Sequence, residues 1–219
     1  EIACDMVVNC TGAWSSRVGK LLGTDLPVMP EKRYLWTAKF ADPADDFTEQ
    51  QYARFPMTIC MAHEMVPYVK PEPSVGTHVF TIGCEHAVDP DWDFQPEDQD
   101  RVEPGFYAYD PDGYHLKFWE ILADWLPCTE KFAFQPRPSS GYYETTMDNN
   151  PFIDFDPNFP NVIHCAGFSG HGVMHAPAAG RAVLDLVRYG EHREFPSGNV
   201  NLSFDGFHRG IRQTEEMKI

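Results

Sequence analysis

The stretch that most constrains this chain is an apolar run, Asn161 to Ala166, that feeds Gly167-Phe168-Ser169-Gly170-His171-Gly172 and then a helical pattern from Val173 to Tyr189. The run is short enough for a strand. The positions Val173, Ala176, Gly180, Val183, Leu184 and Val187 recur at helical spacing and share one face. Pro177 falls near the helix start, where a missing N–H costs least, and Gly190 ends the pattern. Such a strand, turn and helix aim several backbone N–H groups, and the positive end of the helix dipole, at one point that suits an anion. Gly170 and Gly172 carry no Cβ, so the backbone there accepts a close neighbour; the plainer alternative is a tight turn whose glycines only supply positive φ. Other site patterns fail. A GxSxG nucleophile elbow needs Gly where His171 stands. His171 and His175 lack both the Glu of HExxH and a third ligand, so no metal is expected.

A second unit of the same kind opens the chain. Met6 to Cys10 reads as a strand, Thr11-Gly12 as its turn, and Ala13 to Leu22 as a helix with Trp14, Val18, Leu21 and Leu22 on one face. Pro27 and Pro30 interrupt, and the middle of the chain is rich in strands: Arg33 to Phe40, Met57 to Met61, Val66 to Lys70 and Thr77 to Ile82, with Pro71 to Gly76 as a hairpin connection. A middle antiparallel sheet accounts for them. His115 to Leu126 reads as an amphipathic helix with Leu116, Trp119, Ile121, Leu122 and Trp125 as its apolar set, stopped by Pro127. The run from Glu85 to Asp112 is an acidic, proline-bearing loop; its Asp89-x-Asp91-x-Asp93 lacks the Gly at the sixth position and the Glu at the twelfth that a calcium loop requires.

Charge and cysteine usage narrow the function. A net charge of -16 without any cluster of Lys and Arg excludes nucleic acid as a partner. No apolar run of about 18 residues is present to span a bilayer, and residues 1 to 10 lack the pattern of a signal peptide. The six cysteines are scattered singly, which fits reduced thiols in the cytoplasm or another reducing compartment, the mitochondrial matrix in a eukaryote. The chain begins on a strand-like run without Met, and an upstream part is expected to be absent.

Asn150-Pro151-Phe152-Ile153-Asp154, Asn161-Val162, Ala166 to Gly172, Ala176-Pro177 and Gly180-Arg181-Ala182 together resemble the C-terminal signature of the FAD-dependent D-amino-acid oxidase and sarcosine oxidase-like flavoproteins. Asp5 to Ser15, with Val7-Val8-Asn9 and Gly12-Ala13-Trp14, is similar to that family's strand and turn near the adenosine half, followed by Pro27-Val28-x-Pro30. Within the family, Gly141-Tyr142-Tyr143, the glycine turn and the closing segment from Phe204 to Ile219 look most like the branch linked to assembly of respiratory complex I. The resemblance covers the ends of the chain well and the middle poorly.

The resemblance implies an α+β architecture: a discontinuous FAD-binding α/β domain, whose N-terminal βαβ unit with GxGxxG is missing here, plus an antiparallel-sheet substrate domain. Residues 1–24 and 145–190 fall to the FAD domain, 25–144 to the substrate domain, and 191–219 to a tail. FAD contacts are assigned to Gly12, Trp14, Gly167, Ser169, Gly170, His171, Gly172, Val173 and Met174. Gly141 stands where sarcosine oxidases carry the cysteine that tethers flavin, so FAD is expected to be non-covalent. Met174 replaces the lysine at the flavin pyrimidine edge, which leaves the helix dipole and local N–H groups to stabilise the reduced flavin. Thr81 occupies the position of the oxygen-activating lysine, with Lys70 on the preceding strand as a substitute, and Tyr143 faces substrate. Tyr142 is equally a site or a core residue, and Arg33, Lys70 and Arg137 are candidate anchors for an anionic substrate.

The implied reaction moves a hydride from the carbon beside the nitrogen of a secondary or tertiary amine, or of an amino acid, to flavin N5. Without an ammonium at Thr81 the expected type is a dehydrogenase that passes electrons to a protein or a quinone. The alternative is a flavoprotein-like assembly factor or scaffold without turnover, using the acidic loop and the tail as partner surfaces. The chain alone is expected neither to hold FAD tightly nor to catalyse, and to expose apolar edges that favour an oligomer.

Overall fold

The structure is a computed structural model and describes residues 2–40, 48–74, 76, 78–84, 114–134 and 139–193. The acidic run and its calcium-like spacing, Arg137 and the segment from Phe204 lie outside these residues. The chain forms two compact units, one of Glu1–Glu31 with Tyr142–Ile219 and one of Lys32–Gly141.

In the discontinuous unit, β1 (Val7–Asn9) runs into a 3-10 turn, Gly12–Trp14, and then α1 (Ser15–Leu21). Near the C-terminal end, β8 (Phe152–Phe155) and β9 (Val162–Ala166) lead to α4 (Gly172–Tyr189). These three strands form a sheet in the order β1-β9-β8, with β1 parallel and β8 antiparallel to β9. The core between sheet and helix contains Ile153, Ile163, Phe168, Ala179, Ala182 and Leu186. The helix thus packs through small residues, which let its backbone approach the sheet. This face is rotated from the expected stripe: Val173 is 85% exposed, Leu184 and Val187 are exposed as well, and Ala176, Gly180 and Val183 line a cavity. Pro177 is the sixth residue of α4 rather than one of its first turn, so the helix forgoes one internal hydrogen bond. Leu21, expected on the packed face of α1, is also exposed, because that helix is only two turns long and is anchored by buried Ser15 and Gly19.

The other unit is built on a sheet in the order β3-β4-β5-β2-β6, from β2 (Met29–Phe40), β3 (Thr58–Ile59), β4 (Tyr68–Pro71), β5 (Val79–Gly83) and β6 (Phe132–Phe134). Each pairing for which a register is defined is antiparallel, as the strand-rich middle predicts. The chain enters this unit along β2 and leaves it along β7 (Ser139–Thr145), which pairs with β2. The α2 helix (Glu49–Arg54) is an addition to the expected elements; Thr48 and Gln51 cap it reciprocally. The α3 helix (Tyr114–Trp125) buries Phe118 and Leu122 completely, whereas Leu116 and Trp125 of the expected apolar set are exposed. Phe118 meets the ring of Trp36 at 5.0 Å, so one aromatic contact with β2 sets the helix rotation. Phe80 stacks on Phe132 at 4.8 Å and takes Phe40, Tyr52 and Phe55 edge-on. No helix among the described residues is long and apolar enough to cross a membrane.

Candidate functional site

The end of β9 turns through three residues in the left-handed region, Gly167, Ser169 and Gly170, with φ of 84°, 51° and 93°. Only the first and last are glycines, so Ser169 carries local strain. It is held there by its N–H, which donates to the Glu144 carbonyl at 2.9 Å, and by a hydroxyl contact to the Gly167 carbonyl at 3.4 Å. The missing side chains are used inside the turn. A Cβ on Gly170 would lie 2.5 Å from the ring of Tyr143, one on Gly167 would collide with the Thr146 methyl, and one on Gly172 would be 3.0 Å from the Phe168 Cβ. Gly170 therefore makes room for Tyr143, and its replacement disturbs the turn before it touches any ligand.

Past the turn, His171 precedes α4 without giving it a side-chain cap, so the first-turn N–H groups of an 18-residue helix lack that partner. Gly172 opens the helix and lines a cavity of about 450 Å³ together with Gly12, Glu144 and Gly180. The floor of this cavity is Val8 of β1 and Cys165 of β9, with Cys10 just past β1, and its wall is α4. Glu144 reaches in from β7. One carboxylate oxygen accepts from the Phe168 N–H at 3.5 Å, while the other is buried without a hydrogen-bond partner among the described residues. Burial pushes this carboxyl above the usual range, against the opposing N–H groups of Phe168 and Gly167.

The Gly12 turn is fixed by a buried relay. Asn9 accepts from the Thr11 hydroxyl at 2.7 Å and the Thr11 N–H at 3.3 Å, which sets its amide so that Nδ2 donates to the Ser15 carbonyl and to His164 Nδ1. His164 Nδ1 is then an acceptor, the ring proton lies on Nε2, and it donates to Asp156 at 2.8 Å. Both side chains of this pair are fully buried. Burial alone would raise the Asp156 pKa, but hydrogen bonds from His164, Thr24 and the Asn158 N–H prevail and hold it below the usual range.

The assigned residues fall into two groups. Gly12, Trp14, Tyr142, Tyr143 and the glycine turn belong to the discontinuous unit, where Trp14 meets Tyr142 edge-on at 5.9 Å and Tyr143 lies against Gly170. His171 is buried, with its ring 4.8 Å from that of His175, whereas Val173 and Met174 are exposed on the first turn of α4. Lys70 and Thr81 belong to the other unit, directly opposite each other on β4 and β5. They share Glu72: the Lys70 ammonium lies 2.9 Å from it and the Thr81 hydroxyl 3.4 Å. Arg33 is buried in that unit. Glu144 and the Asn9-His164-Asp156 relay are additions to the expected site. The signal for Glu144 was a lone carboxylate inside the Tyr-Tyr to Thr-Thr strand; the relay joins residues too far apart in sequence to leave one.

Known proteins match both the sequence and the fold. The chain is 29% identical to FAD-dependent oxidoreductase domain-containing protein 1 of Bos taurus, over 98% of this chain and 41% of that protein. It is 26% identical to the monomeric sarcosine oxidase of Bacillus sp. (strain NS-129), over 84% of this chain and 44% of that protein. Among solved structures, glycine oxidase from Geobacillus kaustophilus superposes with a TM-score of 0.66 at 22% identity, covering 96% of this chain and 47% of that one. L-proline dehydrogenase from P. horikoshii gives 0.62 at 23% identity, covering 87% and 44%. The chain thus spans less than half the length of these relatives. The family model described as FAD dependent oxidoreductase matches residues 1–186, and the chain belongs to that family.

Proposed function

We propose that the cavity at the start of α4 takes part of FAD, and that the whole protein oxidises a small amine or amino acid. The observation that carries this reading is the helix N-terminus without a side-chain cap, opening through Gly172 onto a cavity whose other lip is Gly12. The donor set fits FAD: N–H groups and a helix dipole for an anionic portion, and glycine lips that leave room for it. FAD supplies hydride acceptance at its N5 position. The chain's own residues do the rest. Tyr143 and the glycine turn hold the backbone in place, and the relay through His164 keeps the Gly12 lip in position. The uncapped N–H groups offset negative charge. Gly141 offers no nucleophile for a covalent tether, in keeping with non-covalent FAD.

Dehydrogenase rather than oxidase chemistry is the finer part of the proposal. Thr81 carries no charge, and the Lys70 ammonium is already paired with Glu72, whose carboxyl is held below the usual range chiefly by that lysine. A neutralised ammonium is a poor partner for developing superoxide. Electrons would then pass to a protein or a quinone.

Gly180 provides the test. It lines the cavity, and a Cβ there meets nothing within 4 Å, so a side chain at this position enters open space without strain. In the full-length gene product, Gly180→Leu is expected to fold normally and to lose FAD, measured as the ratio of flavin to protein absorbance. Gly180→Ala keeps FAD and gains about 0.5 to 1 kcal/mol of helix stability. Full flavin occupancy in the Leu variant would remove the cofactor from this cavity. Anaerobic bleaching of the flavin by N-methyl amines or amino acids tests turnover; no bleaching across such a panel would favour a scaffold.

A further inference from the structure

Cys10 and Cys165 are read in the sequence as isolated thiols, but the sheet brings them together. β1 pairs with β9 in parallel, with Val8 opposite Ile163 and Asn9 opposite His164, and Cys10 and Cys165 are the residues that follow this last pair on the two segments. The Cys10 thiol is close enough to be one of the groups that push the Cys165 thiol up. Both line the cavity beside α4, Cys10 exposed and Cys165 partly buried. Neighbouring strands lie about 4.8 Å apart, inside the range of roughly 4.4 to 6.8 Å that a disulfide spans between Cα atoms. Of the other cysteines, Cys60 and Cys84 are buried in the other unit.

We propose that Cys10 and Cys165 form a cross-strand dithiol site that reacts with thiophilic two-electron oxidants of the peroxide class and binds trivalent arsenicals. Cys10, the exposed thiol, attacks the peroxide oxygen: its S–O bond forms, the O–O bond breaks, and water leaves a sulfenic acid on Cys10. The Cys165 sulfur then attacks the Cys10 sulfur; the S–S bond forms, the S–O bond breaks, and the hydroxyl departs with the Cys165 proton as a second water. Two thiols lose two electrons and two protons, and one peroxide becomes two waters. The order of events follows the environment. Burial first, then Cys10 and Glu144, push the Cys165 thiol up to about 12, so it stays protonated while Cys10 meets the peroxide and gives up its proton only in the resolving step. A bridge at the end of the β1–β9 ladder joins two segments already held by the sheet and has little room to relax, and strained disulfides facing solvent are readily reduced, so the reaction is reversible by small thiols.

The 219-residue chain is treated with a slight excess of hydrogen peroxide, the remaining thiols are alkylated, and peptides are mapped without reductant. A linked pair containing Cys10 and Cys165 is expected, reversed by dithiothreitol and absent from Cys10→Ser and Cys165→Ser. Cys165→Ser should instead accumulate a sulfenic acid on Cys10 that dimedone traps. Phenylarsine oxide, which needs two adjacent thiols but no disulfide geometry, should bind one equivalent and lose it in either variant. Cys10 oxidising to sulfinic acid while Cys165 stays free, a link from Cys10 to Cys4, or arsenical uptake unchanged in both variants would overturn the proposal.

Discussion

Asp156→Asn probes the buried relay with a change that conserves shape and alters only donors and acceptors. In the native chain the proton on His164 Nε2 meets the Asp156 carboxylate at 2.8 Å, while Nδ1 takes the Asn9 amide at 2.9 Å. In the variant the new amide can keep its oxygen on the Asn158 and Phe159 N–H groups, which Asp156 accepts at 2.8 and 3.1 Å. Its nitrogen then faces the His164 N–H. Moving the ring proton to Nδ1 only transfers the clash to Asn9, whose amide is fixed by Thr11 and Ser15. No tautomer satisfies both ends. Losing a charge-assisted hydrogen bond costs about 1.5 to 3 kcal/mol and a stranded buried donor about 1 to 3, so the variant should lose roughly 3 to 5 kcal/mol. In urea, at a slope of about 2.5 kcal/mol per M, the midpoint falls by roughly 1 to 2 M. Adding Asn9→Asp supplies an acceptor for a proton on Nδ1 and should recover about 1 to 3 kcal/mol, less the lost bond to the Ser15 carbonyl. The depressed Asp156 pKa means that its stabilisation is complete above the ordinary carboxylate range and is lost as pH falls through the lower folded value. The single variant should lack that acid limb. A midpoint within about 0.3 M of the parent, or no recovery in the double variant, would refute the tautomer assignment and the relay with it.

Glu144 has the opposite sign. Its raised pKa means the folded chain holds the proton more tightly, so its contribution worsens as pH rises from the ordinary carboxylate value through the folded one. Glu144→Gln should therefore raise the melting temperature at pH 7 and have a diminishing effect toward pH 4; a lower melting temperature at both would contradict the assignment. Thr48→Ala removes the reciprocal cap of α2 and should cost about 1 kcal/mol, seen as faster amide exchange confined to Glu49–Arg54.

The strands and helices flanking the two glycine turns were legible because local rules govern them: a short apolar run, residues able to take positive φ, and a pattern at helical period. Orientation was less legible. The sequence pattern on α4 selects Val173, Ala176, Gly180, Val183, Leu184 and Val187 as the packed face, whereas the sheet takes Ala179, Ala182 and Leu186. Phe118 escaped the apolar set of α3 because tryptophans dominated the pattern, and α2 was missed because six residues are too few for periodicity to register. The site was half legible. Gly12 and Gly172 line the cavity as strand-turn-helix logic suggests, but Glu144 and the thiol pair become visible only once β7 and the β1 to β9 register are known.

That register has a consequence for the order in which the protein comes into being. Asn9 and His164, neighbours in the finished sheet, are separated by 155 residues of chain. At a synthesis rate of about 5 to 20 residues per second, β1 emerges roughly 8 to 30 seconds before the strand it must pair with. The inserted unit, Lys32–Gly141, is complete before then and can collapse on its own aromatic core. During that interval Val7 and Val8 wait for Val162 and Ile163, their partners in the finished sheet. Arrest of translation after Gly141 but not α4 has cleared the ribosome should leave the inserted unit resistant to protease and residues 1 to 31 more sensitive, with the whole becoming resistant only after α4 has cleared it.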